Sequence, residues 1–194
     1  MMVSSDAERT AWDRRYRQGS HSSREPDPFL VFAYEEFVAP LFGRPGTALD
    51  LAGGVGRHTI FLAQRGWQVT LTDISAVGIQ RARKAAEKVD TRINFVVGDA
   101  REFAAKQDYD LILVFFYLER ELFPRLAQAL RPGGLVIYKT YTREHKKFSS
   151  KGPSHPMYFL DPNELLRAIS TFHVLHYHET VREKGIAELV AQKP

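Results

Sequence analysis

The chain of 194 residues contains no cysteine. That removes disulfides, thiolate metal sites and every mechanism built on a cysteine nucleophile. It also has no apolar run near the roughly 18 residues that suggest a membrane-spanning helix, so no membrane association is expected. The N-terminal stretch MMVSSDAERTAWDRRYRQ is polar and charged and lacks the apolar centre of a signal peptide, which predicts a cytoplasmic protein. There is no repeat and no low-complexity tract. The length suits one domain, residues 1–194, and such a chain buries roughly 70% of its unfolded surface without needing staples. An excess of one charge sign is also lacking: 27 lysines and arginines against 23 aspartates and glutamates leave a net charge of +4, and the basic residues are scattered. Nucleic-acid binders concentrate theirs, so no nucleic-acid partner is expected.

What the chain does have is a dense stretch from Thr47 to Ser75, TALDLAGGVGRHTIFLAQRGWQVTLTDIS. The apolar run Ala48–Leu51 reads as a short buried strand. Ala52-Gly53-Gly54-Val55-Gly56 reads as a tight turn, and Arg57 to Arg65 as a helix closed by Gly66. A second strand from Trp67 to Thr72 ends in Asp73. Glycines let backbone approach a ligand closely, and the first N–H groups of the helix face the same crevice. An acidic residue at the tip of the next strand can take two ribose hydroxyls. The ligand expected there contains adenosine.

Around this unit the chain alternates helices and strands. A helix over residues 6–18 carries Trp12 and Tyr16, and Pro28 opens another. Phe29, Phe32 and Phe37 are expected to pack on the sheet. Ser75 caps a helix running to about Lys88, with Arg81, Arg83 and Lys84 on its solvated face. Strands follow at Ile93–Val97, Tyr109–Phe115 and Leu135–Lys139, with a helix that includes Pro124 and Leu130 before the last of these. Residues 140–160 read as a long loop, which is usually functional. Lys146, Lys147 and Lys151 in it are expected to be solvated. Asp161 is expected to cap a helix with Pro162 at its first position. Two strands, Phe172–Val181 and Ile186–Gln192, close the chain as a hairpin. The pattern predicts a doubly wound, mostly parallel seven-stranded α/β sheet with an antiparallel C-terminal hairpin.

The run Asp50-Leu51-Ala52-Gly53-Gly54-Val55-Gly56 resembles the first motif of the class I S-adenosylmethionine-dependent methyltransferases, with Ala52 in place of a glycine. A dinucleotide fingerprint would need a third glycine, and Arg57-His58-Thr59 supplies none. Asp73, Gly98-Asp99-Ala100, the Leu130–Gly134 turn and the terminal hairpin extend the resemblance over about residues 10–193. The Gly-Arg-His-Thr helix start and the run Pro156, Leu160, Pro162, Glu164, Leu165 resemble the tellurite-resistance-type, small-molecule members.

The resemblance implies S-adenosyl-L-methionine as cofactor and a set of contacts for it: Trp12, Tyr16, Asp50, Ala52, Gly54, Gly56, Arg57, Asp73, Ile74, Asp99, Ala100 and Phe115. Asp99 would meet the adenine amino group, the Ala100 N–H the ring, and Asp50 the methionine amino group. It also implies that residues 1–45 form a helical lid and that 140–160 form an acceptor-side loop. Catalytic candidates are Tyr16, His145 and His155, with Arg57, Tyr117 and Arg143 also on the acceptor side. Histidine is the natural base at neutral pH. The fourth strand ends Phe115-Phe116-Tyr117 rather than Asn-Pro-Pro-Tyr, which argues against exocyclic base amines and glutamine amides. Covalent carbon-5 methylation of pyrimidines fails for want of cysteine. The expected acceptor is a small molecule: a thiol, a chalcogen oxyanion or a small aromatic. No metal site is expected from His173, His176 and His178, since no third ligand is evident. The chain is expected to be a monomer or homodimer. A non-catalytic cofactor-binding protein and an NAD-dependent oxidoreductase are the alternatives.

Overall fold

The computed structural model describes residues 5–21, 23–89, 92–103, 108–149, 152–153 and 155–194; Lys151 lies outside them. The elements run α1 (Ser5–Arg17), α2 (Pro28–Ala33), a π turn (Tyr34–Val38), α3 (Ala39–Leu41), β1 (Thr47–Leu51), α4 (Arg57–Ala63), β2 (Gln68–Asp73), α5 (Ala76–Ala86), β3 (Ile93–Val97), β4 (Tyr109–Phe115), α6 (Leu122–Ala129), β5 (Leu130–Tyr141), α7 (Glu164–Ala168), β6 (His173–Thr180) and β7 (Ile186–Gln192). Seven strands form one sheet in the order β3-β2-β1-β4-β5-β7-β6. All pairs are parallel except β5–β7 and β6–β7. The order reverses between β1 and β4, so the crevice opens over the carboxyl ends of those strands. Among the described residues no helix is long and apolar enough to cross a membrane.

The central strands explain the layering. Leu111 to Val114 of β4 are fully buried on both faces, as a near-continuous apolar run between parallel neighbours requires. One face of the sheet packs α2 and α4 through Phe29, Leu30, Phe61 and Leu62, together with Trp67. The other packs α6 and α7 through Leu122, Phe123, Leu126 and Leu165. Each such side chain contributes about 1.5–3 kcal/mol on burial. Asp27 starts α2 by accepting the Phe29 N–H at 2.9 Å, with Pro28 in the first turn, where its missing donor costs nothing.

Four local expectations are corrected. Leu130 begins β5 rather than ending α6, because its N–H still bonds back to Leu126 while its backbone is already extended. Asp161 does not cap α7. Asn163 does, at φ 57°, and the Glu164 carboxylate turns back to accept the Asp161 N–H at 2.7 Å while also taking Arg120 at 2.6 Å. Phe32 is 43% exposed rather than packed on the sheet. Arg81 leaves the solvated face of α5 to donate to the Tyr16 carbonyl at 2.7 Å.

Gly56 caps α4 at φ 77°, and a Cβ there would lie 2.9 Å from the Ala82 Cβ. Gly56→Ala therefore combines left-handed backbone strain of about 1–2 kcal/mol with a clash between α4 and α5. The melting temperature is expected to fall by at least about 2–8 °C, at about 2–4 °C per kcal/mol for this size. An unchanged melting curve would show that the turn relaxes freely.

Candidate functional site

Three consecutive parallel strands end in the same crevice, and each brings a carboxylate. Asp50, in β1, accepts from the Thr59 hydroxyl at 2.6 Å and the Thr59 N–H at 3.1 Å, both on Oδ2. Its Oδ1 is buried with no hydrogen-bond partner. Asp73, at the end of β2, accepts the Gly54 N–H on one oxygen and the Ser75 N–H on the other, each at 2.8 Å. Burial pushes both carboxyls up to about 6 against the backbone and hydroxyl donors that would lower them. Asp99, just beyond β3, differs. Burial pushes it up, but the Arg101 guanidinium and N–H and the Ser5 hydroxyl outweigh that and hold it at about 2. The closest of these contacts is Arg101 Nη2 at 2.6 Å.

The turn that joins these carboxylates uses left-handed backbone at Ala52 (φ 55°), Gly54 (φ 60°) and Gly56 (φ 77°). Ala52 thus occupies a conformation that glycine takes without cost, so the departure from the glycine pattern is borne as local strain. Helix α1 lies over the turn. The Tyr16 hydroxyl sits 2.5 Å from where a Gly54 Cβ would be, and the Tyr16 ring meets Gly78 in the same way at 2.9 Å. Trp12 stacks on Tyr16 at 5.6 Å between centroids. Asp13 accepts the Val77 N–H at 3.3 Å, and Glu8 pairs with Arg101 at 3.0 Å. Tyr16 is buried, and burial followed by the Asp73 charge pushes its phenol up, out of the range of a base at neutral pH. Tyr16 is therefore a neutral phenol over the turn.

Beyond α1 the chain reaches Asp27. Its carboxylate lies 2.7 Å from Lys139 Nζ and 3.8 Å from the Arg57 guanidinium. Lys139 also meets Glu188 at 2.9 Å. Asp27, Lys139 and Glu188, with Lys184, line a cavity of about 600 Å³ between α2 and the carboxyl end of β5 with its antiparallel neighbours β7 and β6. Phe29, Phe32, Phe116 and Tyr141 supply rings to its walls, and His145, His176 and His178 also reach it. Among the described residues no group of three or more His, Cys, Asp or Glu side chains is placed to hold a metal ion.

The acceptor-side candidates separate here. His145 is buried, 4.4 Å from the Tyr141 ring, and lines the cavity. His155 is exposed and not among the cavity's lining residues; its Nδ1 accepts the Met157 N–H and shapes a turn. Arg143 pairs with Asp161 on the surface. Tyr117 is half-buried, its carbonyl takes the Tyr138 hydroxyl at 2.8 Å, and burial pushes its own phenol up. Ala100 and Phe115 are buried and Ile74 is partly so. Lys146 lies over the Phe159 ring at 5.0 Å and Lys147 pairs with Glu144 at 2.7 Å.

Sequence reasoning missed Asp27, Lys139, Glu188 and His58. The lysine had a signal, a charge at the end of the apolar run Leu135–Tyr138. His58, in the first turn of α4, is 3% exposed, packs 4.2 Å from Phe115 and has a buried Nε2 without a hydrogen-bond partner. Burial, then the neighbouring Arg57, pushes it down to about 3, so the ring is neutral.

Comparison with known proteins finds the methyltransferase domain family over residues 48–134. The tRNA 5-carboxymethoxyuridine methyltransferase of Escherichia coli (strain K12) is 38% identical over 102 residues, covering 48% of this chain and 39% of that protein. The chain therefore spans about two fifths of the length of that relative. The ubiquinone biosynthesis O-methyltransferase of Klebsiella pneumoniae is 30% identical over 160 residues, covering 72% of this chain and 65% of its own. Among solved structures, TehB from Haemophilus influenzae aligns with a TM-score of 0.72 at 18% identity, over 94% of this chain and 67% of that one, a likeness of fold. The tRNA enzyme overturns the expectation that nucleic acid is no partner: scattered surface charge does not exclude RNA acceptors in a chain with such a relative. A methyltransferase domain match that begins in β1 and ends in β5 makes residues 48–134 similar to the methyltransferase domain family, and the sheet, whose seventh strand runs against its neighbours, has the fold of the class I S-adenosylmethionine-dependent methyltransferases.

Proposed function

We propose that this chain transfers a methyl group from S-adenosylmethionine, held over β1–β3, to an acceptor presented at the carboxyl ends of β4 and β5. The observation that carries this reading is the buried Asp50 Oδ1. It is a carboxylate oxygen without a hydrogen-bond partner beside a glycine turn, which suits a cationic amino group. Asp73 and Asp99 retain acceptor capacity on oxygens that already hold donors, so ribose hydroxyls and an adenine amino group can join them. The Ala100 N–H would reach the adenine ring, Ile74 and Phe115 would flank the cofactor, and Trp12 and Tyr16 would cover it. The cofactor supplies a methyl group activated on a sulfonium; the chain binds, aligns and excludes water. Thr59 stands where a dinucleotide fold needs its third glycine, and both its donors are committed to Asp50, which weighs against NAD. The cavity has the size of a small-molecule site, which supports a small acceptor, and His145 is the loop histidine among its lining residues.

Three measurements bear on this. S-adenosylhomocysteine at about 100 times its Kd adds roughly 2.7 kcal/mol, so the melting temperature should rise by about 5–11 °C. A shift with NADH and none with S-adenosylhomocysteine would end the reading. Deleting residues 1–18 should leave a folded protein that binds S-adenosylhomocysteine at least about tenfold more weakly, since the lid contacts are lost. Unchanged affinity would mean that α1 only packs.

The third concerns Asp50. Its carboxyl is raised from 3.8 to about 6 in the folded chain. Below pH 3.8 it is neutral folded and unfolded and carries no penalty. As pH rises through 3.8 to 6 the unfolded chain ionises first, so folding is progressively disfavoured, and the penalty is complete above 6. Asp50→Asn should therefore gain stability over the wild type between pH 4 and 7, by about 1–3 kcal/mol, while S-adenosylhomocysteine affinity falls. Urea melts at both pH values check this, and a pH-independent difference between the two proteins would refute it.

A further inference from the structure

The cavity beside α2 permits a narrower statement about the acceptor, one that rests on the methyl-transfer reading. Its walls hold the rings of Phe29, Phe32, Phe116 and Tyr141 around about 600 Å³. Such walls suit a flat ring, which can stack or meet them edge to face. Its polar side is Lys139, only 7% exposed, between Asp27 at 2.7 Å and Glu188 at 2.9 Å. Among the residues that line the cavity, the carboxylates Asp27 and Glu188 are matched by the lysines Lys139 and Lys184, two against two, so these charges balance; Arg57 meets the second oxygen of Asp27 from outside the lining at 3.8 Å. A ligand that brought its own negative charge would upset that balance beside Glu188. A neutral hydroxyl would not: it can donate to the carboxylate, and its oxygen can turn to the ammonium.

The cavity also adjoins the cofactor crevice. Asp27 lines it and pairs with Arg57 in the first turn of α4. Phe116 lines it at φ 56°, a strained backbone of the kind that clusters at functional sites, and follows Phe115, on which His58 packs. We infer that this cavity is the acceptor site and that the acceptor is an uncharged, planar hydroxyaromatic ring, with Glu188 taking the hydroxyl proton and Lys139 facing the oxygen. The oxygen bonds the methyl carbon as the carbon–sulfur bond breaks. The electron pair stays on sulfur, and the proton passes from Glu188, whose side chain is 21% exposed, to solvent.

The probe is catechol, titrated into protein saturated with S-adenosylhomocysteine and followed by the methyl resonances of Ile186, which lines the cavity. The Ile186 signal should shift and saturate. Phe32→Trp, at an exposed rim position that the fold tolerates, should weaken catechol by at least about tenfold and leave S-adenosylhomocysteine affinity within about twofold. Glu188→Gln should still bind catechol but transfer methyl at least about 100-fold more slowly. 3,4-Dihydroxybenzoate should bind more weakly than catechol. No Ile186 shift, an unchanged catechol affinity in Phe32→Trp, normal transfer by Glu188→Gln, or tighter binding of 3,4-dihydroxybenzoate or of the nucleoside 5-carboxymethoxyuridine than of catechol would each overturn the inference. If the wild type failed to bind S-adenosylhomocysteine, the methyl-transfer reading itself would fall.

Discussion

The Asp73 carboxylate is the tie on which the crevice depends. One oxygen holds the Gly54 N–H and the other the Ser75 N–H, so the end of β2 is fastened both to the turn after β1 and to the start of α5. An ionised carboxylate buried this deeply costs several kcal/mol unless donors surround it, and here the donors are backbone groups that the turn must orient. The left-handed residues at 52, 54 and 56 follow from that demand. Gly56 then lets α4 and α5 approach, with Ala82 filling the space a side chain would need. Electrostatics at one residue thus sets the backbone of the turn, and the backbone sets the packing of two helices.

The N-terminal segment runs along the crevice in chain order. Ser5 reaches Asp99 at 2.7 Å, Tyr16 covers Gly54 and Gly78, and Asp27 meets Arg57 and Lys139. Successive contacts therefore span from the β3 end of the crevice to the β5 side. They are polar apart from those of Tyr16, and the Asp27–Lys139 pair is buried, as Tyr16 is. The part-buried Ser5–Asp99 hydrogen bond is of the kind that contributes about 0.5–1.5 kcal/mol.

The Asp27–Lys139–Glu188 cluster has a different character. Lys139 follows the apolar run Leu135–Tyr138 of β5 and is largely buried, and removing one partner of such a pair costs about 3–5 kcal/mol because the other is left uncompensated. Apolar side chains of similar volume would pack there at less cost. The cluster thus stands beside the cavity as its polar wall.

The fold was legible because its signals are local and repeated. Apolar runs of strand length, the glycine turn, the Ser75 cap and the terminal hairpin each specify backbone over a few residues, and alternation then leaves one sheet architecture. The crevice carboxylates Asp50, Asp73 and Asp99 were legible for the same reason: each stands at the end of a strand, and parallel strands deliver their ends to one edge. Helix α1 was read from its pattern, but that Arg81 would leave the solvent for its last turn was not, since an exposed-looking arginine gives no sign of its partner. The cavity was out of reach. Asp27, Lys139, Glu188 and His176 come from α2's cap, β5, β7 and β6, separated by up to about 160 residues, and they meet only because the antiparallel hairpin brings β7 and β6 beside β5. His155 and His145 looked alike in sequence, yet one shapes an exposed turn and the other packs on Tyr141. Local backbone preference is written residue by residue and determined the elements and the crevice; which side chains share a space depends on how distant strands pair, and only the tertiary structure decided that.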